Sequence, residues 1–149
     1  NAAADWTYLR PRRLALHIAR CIEQGTRWVV LEQSGRPLWR RVTAQVERFL
    51  AELAGEGAFP SAPAAAASFV VCDERVNAEM DTIQGRVRLL VGFAALRPGT
   101  YHSFLLTHSA SGSSVRWVGV NQFQQSSESD STAAARAAAL AEVHSRHDP

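Results

Sequence analysis

Between Leu38 and Leu53 the apolar residues Leu38, Val42, Val46, Phe49, Leu50 and Leu53 recur at the spacing of one helix face. A helix this one-sided has to bury that stripe against another layer. Pro37 suits its first turn and Gly55-Glu56-Gly57 its end. Its other face carries Arg40, Arg41, Glu47, Arg48 and Glu52, a solvated surface with i,i+4 support. Directly before it stands Arg27-Trp28-Val29-Val30-Leu31-Glu32, a continuous apolar run that reads as a buried central strand handing over to the helix, with Val30 in the core.

The rest of the chain supplies partners for this pair. Pro11 to Gly25 reads as a first helix, with Leu14, Ile18, Cys21 and Ile22 on one face. Ser68 to Asp73 is apolar on both faces, as an internal strand is. Glu74 to Gln84 is a polar connection with room for a short helical turn. Arg86 to Phe93 alternates, which places Val87, Leu89, Val91 and Phe93 toward the core. Arg97-Pro98-Gly99 turns the chain into a return strand, Tyr101 to Thr107, so that Gly85 to Thr107 forms a long two-stranded arm. Val115 to Val120 is a fifth candidate strand, and Ala133 to Arg146 a candidate alanine-rich helix with a narrow apolar stripe. The predicted fold class is therefore α+β: two main helices packed on a four- to five-stranded, largely antiparallel sheet with a long two-stranded arm and an extra C-terminal helix.

A chain of 149 residues is one domain's worth of polypeptide. Residues 1–7 read as a tag scar and linker, 8–108 as the domain, and 109–149 as an extension. No stretch approaches the ~20 apolar residues a membrane-crossing helix needs, and no membrane partner is expected. The net charge of +2 is too small for a phosphate-binding surface, so nucleic acid is not expected either. All sixteen basic residues are arginine. Cys21 and Cys72 lie far apart, each within apolar pattern, and read as buried free thiols in a reducing compartment.

No catalytic constellation emerges. His17, His102 and His108 are scattered, and His144 and His147, at i,i+3, are two ligands without a third. Cys72-Asp73-Glu74 sets a thiol beside carboxylates, but burial and neighbouring negative charge both raise a thiol pKa, whereas an active thiolate needs a positive partner. No phosphate-cradling glycine loop and no serine elbow are present. The expectation is a non-enzyme with no catalytic residues, no cofactor and no metal.

The order of the pieces carries a resemblance. Tyr8-Leu9-Arg10-Pro11-Arg12-Arg13-Leu14 opens a helix, and Gly25-Thr26-Arg27-Trp28-Val29-Val30-Leu31-Glu32 precedes Pro37-Leu38-Trp39. Phe69-Val70-Val71-Cys72-Asp73-Glu74, Asn77, Gly85-Arg86-Val87 and Leu96-Arg97-Pro98 follow. In this order and spacing, from Tyr8 to Thr107, the chain resembles the C-terminal domain of contractile phage tail sheath proteins. The resemblance implies a structural subunit of hexameric rings stacked helically around a tail tube protein, a homo-oligomer held together by strands exchanged between subunits. It also implies assembly in the bacterial host cytoplasm, residence in the virion tail sheath, and contraction that drives injection. Asn77-Ala78 stands where the family commonly has Asn-Pro, and relatives usually end soon after the strand near Thr107. The alternative from the residues alone is a ferredoxin-like module binding a small ligand or RNA.

Overall fold

The computed structural model describes residues 11–60, 62, 67–94, 100–122 and 128–145. Residues 1–7, the segment Tyr8 to Arg10, the turn at 97–99 and His147 lie outside these. Helix α1 spans Pro11–Gly25, a 3-10 turn Arg27–Leu31, helix α2 Arg36–Gly55, strand β1 Ser68–Val71 and the short helix α3 Glu79–Ile83. Strands β2 (Val87–Ala94), β3 (Thr100–Ser109) and β4 (Gly112–Gln122) follow, and helix α4 (Glu128–Ser145) ends the described chain. The fold is α+β, and the sheet is an antiparallel meander in the order β1-β2-β3-β4. That order differs from the βαββαβ path of a ferredoxin-like unit.

Register explains the burial. Leu89 lies opposite Leu106 and Val91 opposite Phe104, on the face that also carries Phe93, His102 and His108. This face receives α1, whose Leu16 shares a groove with His102 and Trp117, and Phe59, whose ring lies 5.8 Å from that of Phe93. The opposite face carries Phe69, Leu90, Gly92, Tyr101 and Leu105, and α4 crosses it, with Ala135, Ala139 and Val143 buried. Tyr101 Oη and Thr132 Oγ1 are 3.1 Å apart. With helices on both sides, β2 is buried on both faces, and the long two-stranded arm β2–β3 forms the middle of the sheet. β4 and α4 share one hydrophobic core with the rest.

Two expectations about the strands are overturned. Ser68–Val71 is not internal but the edge strand β1, paired only with β2 among the described residues, and its two apolar faces are covered by α2 and α4. The run Trp28 to Glu32 is no strand: Arg27–Leu31 is a 3-10 turn held by bonds from Val29 N to Thr26 O (3.2 Å) and Glu32 N to Val29 O (3.3 Å). A short apolar run cannot be told from a buried connection by periodicity, and here it is part of the link between α1 and α2. Only Val29 is fully buried, at 0% exposure, while Leu31 is 87% exposed and Val30 is half-buried. Trp28 is tied to α2 instead, its Nε1 donating to Gln45 Oε1 at 2.8 Å with the Arg41 guanidinium 4.9 Å over its ring. The core residue of this segment is Val29, not Val30.

Candidate functional site

The sheet has two edges, and they are not equivalent. Outward-facing backbone groups on β1 follow from its pairing with β2. Ala94 N donates to Ala67 O at 2.7 Å, and the register continues Ser68↔Phe93, Phe69↔Gly92, Val70↔Val91, Val71↔Leu90. Antiparallel ladders alternate bonded and non-bonded pairs, so Phe69 and Val71 bond inward to β2. Ser68 and Val70 turn their N–H and C=O groups to the outer edge. No bond from those outward groups is made to another described residue.

That edge lies in a trough rather than on a bare surface. One cavity of about 550 Å³ runs beside Trp39, Arg40, Thr43, Val70, Cys72 and Arg75. A second, of about 380 Å³, is lined by Glu47, Ala51, Ser68 and Val70 together with Thr132 and Arg136 of α4. They share Glu47 and Val70, so the two together follow β1 between α2 and α4. The other edge, β4, is interrupted: Ser103 pairs with Gly119 and Phe104 with Trp117, leaving Val118 as an extra residue, and Gly119 has φ 127°. A bulge of this kind hinders strand addition.

The loop leaving β1 is built rigidly. Asn77, buried, accepts from Arg88 N at 2.8 Å and donates from Nδ2 to Arg88 O at 3.0 Å and Asp73 O at 3.2 Å, so one side chain replaces a strand partner for β2. Asp81, also buried, accepts from Ala78 N (3.0 Å) and Arg86 Nε (3.0 Å), with Arg88 3.7 Å away. Arg75 grips Asp73 through both carboxylate oxygens at 2.7 and 3.1 Å, and these bonds hold Asp73 below the usual carboxylate range. The backbone and Arg36, at 2.6 Å, do the same for Glu74.

These contacts disfavour a thiolate at Cys72 in Cys72-Asp73-Glu74. Burial pushes the Cys72 thiol up to about 12, against a weak opposing contact from Asn77 Nδ2 at 3.9 Å. Cys21, half-buried, is also raised by burial, and its Sγ lies 3.4 Å from His17 Nε2. The remaining histidines are dispersed. His102 stacks on Phe93, and His144 Nε2 donates to Arg75 O at 2.8 Å. Among the described residues no three His, Cys, Asp or Glu side chains gather as a metal site. No helix of the described residues is long and apolar enough to cross a membrane.

His108 is fully buried, and sequence reasoning had no signal for its role. The Thr26 hydroxyl spends its one hydrogen on Ile22 O at 2.6 Å, so at 2.7 Å it accepts from His108 Nε2–H. Nδ1 then accepts from the Ser113 hydroxyl at 2.6 Å, which assigns the neutral Nε2–H tautomer from the network. Burial lowers the pKa of this ring.

Compared with protein-family models, with curated proteins and with solved structures, the chain matches none.

Proposed function

We propose that this chain is a structural domain that assembles with copies of itself by strand pairing, as the C-terminal domain of a contractile tail sheath, around a tail tube protein. The observation that supports the reading is the outer edge of β1. Its outward groups at Ser68 and Val70 sit in a trough between two helices, where an extended segment gains both ladder bonds and cover for its side chains. Head-to-tail strand addition does not close into a dimer and so propagates rings and helices. The order of motifs from Tyr8 to Thr107 supplies the family.

The experiment is negative-stain electron microscopy with sedimentation across a concentration series, on the full open reading frame that encodes the chain. Rings or tubes are expected. Val70→Pro removes one outward N–H that the domain's own sheet does not use, a position where an edge strand tolerates proline. Assembly should be lost while the thermal midpoint of the domain is kept. Discrete small particles at every concentration and salt would overturn the reading and favour a binding module.

A further inference from the structure

The outer faces of the two long helices differ in a way that strand pairing does not use. On α2 the charges are mixed: Arg36 pairs with Glu74, Arg41 with Glu32, and Glu47 and Glu52 stand among the arginines. On α1 they are of one sign. Arg12, Leu16 and Arg20 follow one another at i, i+4 and i+8, all exposed, on a row whose members rise about 6 Å apart. Leu16 is 47% exposed. The one acid of α1, Glu23, is taken up by Arg27 at 2.6 and 3.0 Å, and neither Arg12 nor Arg20 makes an ion pair among the described residues.

Beside this row lies a groove of about 330 Å³ between α1 and the sheet, lined by Arg12, Ala15, Leu16, His102, Trp117 and Gly119. Its floor is apolar. Trp117 is half-buried, its ring 5.4 Å from that of Phe104, so the floor is fixed by core packing. No acidic residue lines it; Glu142 approaches Gly119 on the α4 side. An apolar groove lined by Arg12, with Arg20 one turn beyond Leu16 on the same row and neither in an ion pair among the described residues, is complementary to an apolar side chain flanked by carboxylates.

We propose that the outer face of α1 docks an acidic protein segment, one apolar side chain of which enters the groove at Leu16 and Trp117 while carboxylates on either side meet Arg12 and Arg20. This goes beyond strand pairing and does not depend on it. The site uses a different face of the molecule from the β1 edge.

The test is a nuclear magnetic resonance titration of the whole chain with a stapled helical peptide that carries leucine with glutamate four residues before and after it, and with versions carrying glutamine or lysine instead. The glutamate peptide should shift the Leu16 methyl and Trp117 indole signals at up to about 1 mM. The glutamine version should bind about five-fold more weakly, the scale of two exposed ion pairs. Arg12→Glu with Arg20→Glu, both at exposed positions, should reverse the preference toward the lysine peptide, and Leu16→Ser should weaken every version. Equal binding of the glutamate and glutamine peptides, or unshifted Leu16 and Trp117 signals, would overturn the proposal. So would shifts at Leu16 and Trp117 that follow protein concentration alone, which would make a second copy the occupant.

Discussion

The ring of Phe69 lies over Gly92, filling the space that a side chain at position 92 would occupy. The two are cross-strand partners on the face covered by α4. Glycine is needed here for close approach: an added Cβ meets three ring atoms of a side chain that is itself buried. Gly92→Ala should therefore destabilise by about 1–3 kcal/mol through overpacking, and Phe69→Ala by about 3–5 kcal/mol through the cavity left behind. In the double variant the new methyl enters the emptied space, so the cost of Gly92→Ala should vanish or change sign. Chemical denaturation of all four members of the cycle measures this, and additive losses would show that the ring can move aside.

Stability should depend on pH through His108. Its burial favours the neutral ring, so its folded pKa lies below the ordinary imidazole value of about 6.5. Between those two values the unfolded chain binds more protons than the folded one, and stability falls as pH falls through that window. Glu23 and Arg27 act on the ring in opposite directions. His102 is also lowered by burial and adds to the effect in the same sense. Denaturation at a series of pH values should show the loss, and His108→Gln, whose amide can still donate toward Thr26, should flatten the slope without abolishing it. A His108→Gln profile as steep as that of the parent would exclude this origin.

Much of the fold is legible in the sequence because the signals are periodic. Leu38 to Leu53 and Leu14 to Ile22 each mark one face of a helix, and Val87 to Phe93 one face of a strand. Trp28 to Leu31 shows where such reading fails: β-branched residues in a short run suit a strand, but this run lies against β3, which is already paired on both sides by β2 and β4 and leaves it no edge to join. Properties set by pairs distant in sequence carry no local sign. Thr26 and His108 are 82 residues apart, and Phe69 meets Gly92 only through the register of β1 on β2. The outward turn of Ser68 and Val70 is of the same kind, since either parity is compatible with the sequence Ser68 to Val71.

Asn77 should behave as a structural residue of the sheet. Asn77→Ala removes its bonds to Arg88 N, Arg88 O and Asp73 O; Asp73 O keeps the Val76 and Asn77 amides, whereas the part-buried N–H and C=O of Arg88 lose these partners. A loss of about 2–4 kcal/mol is expected, the scale of more than one unsatisfied group. The Arg88 amide should exchange with solvent faster by a comparable factor, whereas amides in α1 should follow global unfolding alone. Exchange at Arg88 unchanged in the variant would mean that water replaces the side chain.

Cys72 and Cys21 should differ in reactivity although both are free thiols. Alkylation requires the thiolate and access to it. Cys72 is buried, and its pKa is pushed up to about 12, by burial first and with a smaller contribution from the charge of Asp73. Cys21 is half-buried and has Arg20 beside it, which opposes the rise caused by burial. Iodoacetamide at pH 8 should therefore label Cys21 in the native protein and reach Cys72 only as fast as the chain opens, so that labelling of Cys72 accelerates with denaturant in step with unfolding. Because Cys72 lines the trough beside β1, the same measurement reports on that trough. Rapid native labelling of Cys72 would show a thiolate stabilised by a group outside these contacts and would reopen nucleophilic chemistry at Cys72-Asp73-Glu74.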